Sequence, residues 1–216
     1  MVYQDKLICY YADQRDEKYG QKLVHQTTKD LKKWNPLVDD ATYPTYTARP
    51  GMPTVALLPN GYYMFLYENG GAIPKYQLAN GTQNYRFPLY YRLSKDPLKF
   101  GEVQDYPLIT STLQPAGSPY VVWTPAGGKN GTIVVSAGGP PINTDGTENM
   151  DERNPVYINK ALGDPDAWTV LDTPAPSAYT RSLRVLPDPT KILIVGAGQL
   201  PPQNNTQVRA DIISLE

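Results

Sequence analysis

The chain has almost none of the residues on which thiol and metal chemistry depend: one cysteine, Cys9, and one histidine, His25, in 216 residues. A single cysteine excludes an internal disulfide, and no second sulfur or spaced histidine suggests zinc. No metal and no cofactor are therefore expected. Charge runs are missing too: net charge is −1, and no Lys/Arg block exceeds a pair. That leaves no electrostatic footprint for nucleic acid. The longest apolar stretches, such as Thr54–Leu58 and Ile192–Val195, are strand-sized and too short to cross a bilayer, so no membrane partner is expected. Met1 is followed by Val2-Tyr3-Gln4-Asp5 with no charged n-region and no cleavage site, which reads as the absence of a signal peptide. Against that, Asn80-Gly81-Thr82, Asn130-Gly131-Thr132 and Asn204-Asn205-Thr206 are N-glycosylation sequons in turn-like contexts and point towards secretion. The two observations agree if the intact protein starts upstream of Met1.

What is abundant is Tyr (17), Pro (22) and Gly (17), while charged residues make up only 19%. Tyr suits half-buried strands, and Pro with Gly suits many short turns, so the composition leans to an all-β fold. Internal repetition sharpens this. Thr28-Lys29-Asp30-Leu31-Lys32-Lys33-Trp34 aligns without a gap on Ser94-Lys95-Asp96-Pro97-Leu98-Lys99-Phe100, 66 residues later. The same offset relates Gly51 to Gly117, and a further step reaches Leu183. After each of these points the chain reads strand, turn, strand, which predicts antiparallel hairpins at Thr54–Tyr67, Tyr120–Ser136 and Leu183–Val195. A third strand then leads into a turn of Asp and an aromatic residue. Its third copy is looser, with Asp164 or Asp166 before Trp168. About four short strands, repeated with no helical period between them, is the pattern of propeller blades. A single β-sandwich is the alternative.

The reading is one partial β-propeller domain of three to four blades, with blade units of approximately 1–42, 43–112, 113–176 and 177–216. Extra length belongs in loops, and Asn69–Arg86 and Gly138–Asn154 are the candidates. In the Asp–aromatic turns the carboxylate is expected to cap its own turn while Trp34, Phe100 and Trp168 wedge between sheets.

In a propeller, ligands bind at one mouth of the central channel, near inner strand ends. Four polar groups sit at such ends: Asp13-Gln14-Arg15-Asp16, Arg49, Glu68, and Tyr179 with Arg181. Glu68 follows the apolar run Met64-Phe65-Leu66-Tyr67 and precedes Asn69-Gly70-Gly71. Partial burial there would raise its pKa, as a general acid requires. A solvated Glu at a strand exit is the plainer alternative. The arginines either anchor sugar hydroxyls or pair with Asp13 and Asp16.

The run Ile8-Cys9-Tyr10-Tyr11-Ala12-Asp13-Gln14-Arg15-Asp16, with Gly20-Gln21-Lys22-Leu23-Val24-His25-Gln26, resembles glycoside hydrolase family 93. So do Asp39-Asp40-Ala41-Thr42-Tyr43, Arg49-Pro50-Gly51-Met52, Pro119-Tyr120-Val121-Val122-Trp123 and Asn130-Gly131-Thr132-Ile133-Val134-Val135-Ser136. The resemblance implies a six-bladed, sialidase-like propeller that releases arabinobiose from α-1,5-linked arabinan with retention of configuration. It implies Glu68 as acid/base, and Arg15, Asp16, Arg49, Tyr179 and Arg181 around the substrate. The implied nucleophile lies in a Glu-Pro-Phe segment just before the strand matching Val2–Tyr11, ahead of this chain's start. The expectation is thus the C-terminal half of a secreted arabinan-directed hydrolase, inactive as it stands. The alternatives are a non-catalytic carbohydrate-binding fragment and, more weakly, a sialidase-like enzyme.

Overall fold

The computed structural model describes residues 1–70, 76–77, 83–84, 87–147, 149, 154–198 and 208–215. The sequons at Asn80 and Asn204, and most of the 69–86 loop, lie outside the described residues. The described chain is all-β apart from two single-turn 3₁₀ segments, Phe100–Glu102 and Pro165–Ala167.

Strands follow one another in chain order and form four antiparallel sheets with two small ribbons. The first sheet contains β1 (Val2–Tyr3), β2 (Lys6–Asp13), β3 (Lys22–Thr28) and β4 (Val38–Ala41). The second contains β5 (Arg49–Leu57), β6 (Tyr63–Gly70), β9 (Leu89–Ser94) and β10 (Tyr106–Pro107), with β7 (Tyr76–Gln77) and β8 (Gln83–Asn84) as a ribbon between. After β11 (Leu113–Ala116) comes the third sheet, β12 (Tyr120–Thr124), β13 (Thr132–Ser136), β15 (Val156–Asn159) and β16 (Trp168–Leu171). The fourth has β17 (Thr180–Val185), β18 (Lys191–Ala197) and β19 (Arg209–Ser214). The three expected hairpins are the pairs β5–β6, β12–β13 and β17–β18. One expectation changes. Part of the 138–154 loop is β14 (Gly139–Asn143), which pairs with β11 and so satisfies its backbone groups in a ribbon.

Strand β5 adjoins β12, and β12 adjoins β17. Successive sheets therefore gather their leading strands around a common line, the arrangement of propeller blades, and the sandwich alternative fails. Apolar residues fill each seam. Leu23, Ala41, Phe65, Tyr67 and Phe100 close the first, and Met64, Leu66, Tyr91, Val121, Ile133 and Trp168 the second. Val134, Val156, Leu183, Ile192 and Ile194 close the third. Each fully buried large side chain contributes roughly 1.5–3 kcal/mol.

The Asp–aromatic turns set these seams. Asp30 Oδ1 accepts from the amides of Lys32 and Lys33 at 2.9 and 2.8 Å, and Asp96 Oδ1 accepts from Leu98 at 3.0 Å. In the third copy the capping carboxylate is Asp164, bonded to the Asp166 amide at 3.0 Å. Phe100 stacks on Phe65 with centroids 4.7 Å apart, and Trp168 packs edge-on to Tyr91 at 5.7 Å. Each fills the seam with the sheet before its own. Trp34 departs from expectation and is 41% exposed, because no earlier sheet stands within residues 1–216 for it to pack against.

Candidate active site

Glu68 sits at the end of β6 away from the hairpin turn, opposite Gly51 of β5. Strand alternation turns Phe65 and Tyr67 to the first seam, and Met64, Leu66 and Glu68 to the second. The third sheet meets the carboxylate there: its Oε2 accepts a 2.6 Å bond from the Ser118 amide, just ahead of β12. Gly51 and Gly117 precede equivalent kinks, since Met52 (φ 50°) and Ser118 (φ 43°) both adopt left-handed backbone. The kinks are cross-linked by Ser118 Oγ donating to Met52 Sδ at 3.4 Å. Gly51 is glycine for reasons of space. A Cβ there would stand 3.3 Å from Glu68 Oε1 and 3.3 Å from Gln21 Nε2. Burial raises the Glu68 pKa above the ordinary carboxylate range, and the Ser118 amide opposes this only in part.

A chain of amides borders the carboxylate. Gln14 Nε2 donates to Gln21 Oε1 at 2.6 Å, Arg49 Nη2 donates to the same oxygen at 3.2 Å, and Gln21 Nε2 donates to the Pro50 carbonyl at 2.7 Å. Arg49 is exposed at the start of β5, in register with Gly70, so it flanks the same end of the hairpin as Glu68.

The other expected site residues are more scattered. Arg15 is bound through Nε to Asp13 at 2.7 Å with its side chain 74% exposed, and that pairing holds the Asp13 carboxyl below its usual range. Asp16 accepts from Lys22 Nζ at 2.6 Å, and Lys22 also holds Asp39 at 2.8 Å. Tyr179 is exposed just ahead of β17. Its carbonyl lies 2.7 Å, and Ser118 Cβ 3.0 Å, from where a Gly138 Cβ would stand, so its main chain borders the Glu68 clamp. Arg181 needs correcting. It is 1% exposed and donates to the carbonyls of Ala137, Pro155, Asn154 and Ala175 and to Thr173 Oγ1. Its stem points into the third seam, and a guanidinium spent on main-chain carbonyls is a cross-tie between sheets, with nothing left for a sugar to reach. Gln21 and Ser118 were missed as site-building residues. The 66-residue repeat marks the Ser118 position, but a backbone donor leaves no side-chain signal.

A carboxylate clamped and half-buried at one end of a propeller hairpin is the expected form of a glycosidase acid, and the chain is similar to glycosidases of known structure. The α-L-arabinofuranosidase of Fusarium graminearum in complex with arabinobiose superposes over 100% of this chain with a TM-score of 0.86 and 51% identity. The chain belongs to glycoside hydrolase family 93. The α-L-arabinanase of Penicillium chrysogenum, also complexed with arabinobiose, is 45% identical over 100% of this chain at a TM-score of 0.82. The family 93 chain spans 56% of the length of each of these relatives. A thermostable family-43 glycoside hydrolase, 15% identical at a TM-score of 0.58 over 100% of this chain and 70% of its own, shares the fold alone. No family model and no curated protein sequence matches the chain. Among the described residues no helix is long and apolar enough to cross a membrane.

Proposed function

We propose that this chain supplies the acid/base side of a retaining exo-α-1,5-L-arabinanase that releases arabinobiose from arabinan or a related plant cell-wall polysaccharide, and that the intact protein is secreted. The observation that carries this is Glu68, half-buried, with one oxygen on the Ser118 amide and the other beside Gln21 and Gly51. The arabinobiose bound to two relatives supports the substrate class. In the first step the Glu68 carboxyl gives its proton to the glycosidic oxygen as the bond to the anomeric carbon breaks, while a second carboxylate attacks that carbon. In the second step Glu68, now ionised, takes a proton from water as the water oxygen displaces that carboxylate. The raised pKa keeps Glu68 protonated for the first step at a pH where an ordinary carboxyl has ionised.

The second carboxylate comes from outside residues 1–216 in this reading. Asp13 and Asp16, two of the acidic residues at the matching end of the first sheet, are already held by Arg15 and Lys22. Residues 1–216 alone then amount to a carbohydrate-binding face with a poised acid. The test is Glu68→Gln in an arabinanase containing this chain. Hydrolysis of linear arabinan should fall about a hundredfold or more, while aryl arabinobiosides with good leaving groups should lose far less in the first step. Full activity on arabinan would remove the assignment.

A further inference from the structure

Gln21 is 8% exposed, and its side-chain amide bonds Gln14, Arg49 and Pro50. Its Oε1 accepts from both Gln14 and Arg49, while its Nε2 donates to Pro50, so the reverse orientation of the amide would set donors against donors. The amide is thus locked by three partners from two segments, the loop after β2 and the start of β5. Its Nε2 and Glu68 Oε1 flank one small space, the one Gly51 leaves open by lacking a Cβ. Arg49 makes one side-chain hydrogen bond among the described residues, through Nη2, and its other nitrogens are without partners there.

We propose that Gln21 is a positioning residue: it holds Arg49 and the Pro50–Gly51 main chain beside Glu68, so that the free guanidinium donors of Arg49 meet a hydroxyl of the arabinofuranosyl unit being protonated. Without Gln21 the long Arg49 side chain has only solvent to order it, and its rotamer freedom opposes sugar binding. The polar neighbour of Glu68 is lost at the same time. The substrate part of this proposal rests on the arabinanase reading; the positioning part stands on the geometry.

The experiment uses residues 1–216 with carboxyl-labelled glutamate, following the Glu68 titration by carbon NMR and arabinobiose binding by calorimetry, with Glu68→Gln serving to assign the signal. Gln21→Met keeps the size but removes the three bonds. It should raise the Glu68 midpoint and weaken arabinobiose binding about tenfold, as loss of one bond to a charged group implies. Gln21→Glu keeps the oxygen that Gln14 and Arg49 reach but replaces the donor to the Pro50 carbonyl, so it should hold Arg49 and retain binding within about threefold, while the added anion raises the Glu68 midpoint further. An unchanged midpoint in Gln21→Met, with the fold intact by circular dichroism, overturns the positioning role. If that variant fails to fold, Gln21→Glu decides: arabinobiose binding weakened about tenfold or more, with the fold intact, overturns the proposal. If the unaltered chain binds no arabinobiose, the substrate reading falls, and the Glu68 midpoints still decide the role of Gln21.

Discussion

Arg181 and Glu68 show how far a residue's neighbours decide its work. Both were legible as polar residues at strand ends. Glu68 keeps one oxygen beside a shared space, whereas Arg181 is enclosed by carbonyls that it binds through both terminal nitrogens. Burial lowers the Arg181 pKa to about 10, so the group is still charged at neutral pH and depends on those carbonyl dipoles. Arg181→Met should therefore act on stability. We expect a loss of about 3 kcal/mol or more, since charge-assisted bonds are removed and buried carbonyls are left short of donors. Chemical denaturation checks this, and a stable variant with specifically weakened sugar binding would return Arg181 to the site. For Glu68 the sign runs the other way from a salt-bridged acid. Its folded pKa is raised, so the folded state binds the proton more tightly than the unfolded chain does. Ionisation of Glu68 therefore costs stability as pH rises from the ordinary Glu value through the folded one.

Among the elements, the Asp–aromatic turns are structural, as their sequence implies, and they differ from one another in detail. Thr28 Oγ1 and Asp30 cap the first turn, and Leu31 sits there at φ 60° while 67% exposed. Pro97 stands at the matching place in the second copy, where the ring forbids that conformation. A left-handed Leu costs about 1–2 kcal/mol, and glycine's greater freedom in the unfolded chain gives back about half of the gain from relieving it. Leu31→Gly should therefore stabilise the protein by about 0.5–1 kcal/mol, read as a higher melting temperature, because the exposed side chain has little packing to lose. A drop of similar size would show that Leu31 packs in a way its exposure hides. The hairpins themselves were legible because turn residues and strand lengths recur at one offset. The ribbon of β11 and β14 was not, since Gly-Pro-Pro in Gly139–Asn143 carries a turn signature and pairs only because β11 lies alongside.

At the level of the whole molecule, the seams bring into contact residues distant in the chain, and they do so with polar as well as apolar ties. Arg92 binds Asp105 and donates to the carbonyls of Asp40 and Phe100 at 2.6 and 2.9 Å, while Tyr43 and Tyr67 bond the same Asp105 carboxylate at 2.7 and 2.6 Å. This network fastens the first sheet to the second directly behind β6, which keeps the strand carrying Glu68 fixed. Residues 1–216 should accordingly fold on their own into β-structure yet release no arabinobiose from linear arabinan. Double displacement needs a second carboxylate about 5 Å from the acid, and Asp13 and Asp16 are committed to cations. Circular dichroism and an arabinobiose-release assay check both halves. Turnover within tenfold of an intact relative, abolished by Glu68→Gln, would overturn the requirement for an outside nucleophile.

The sequence by itself determined the all-β class, the repeated hairpins, the capping turns and the place of Glu68 at the end of β6, because strand periodicity, turn chemistry and repetition are local properties written in consecutive residues. Only the tertiary structure decided that Arg181 is a core tie, that Arg15 and Asp16 are held by neighbours, and that Gln21 and the Ser118 amide build the surroundings of Glu68. Those roles depend on which side chains two different sheets bring within hydrogen-bond distance, and on how much water the seam between them leaves.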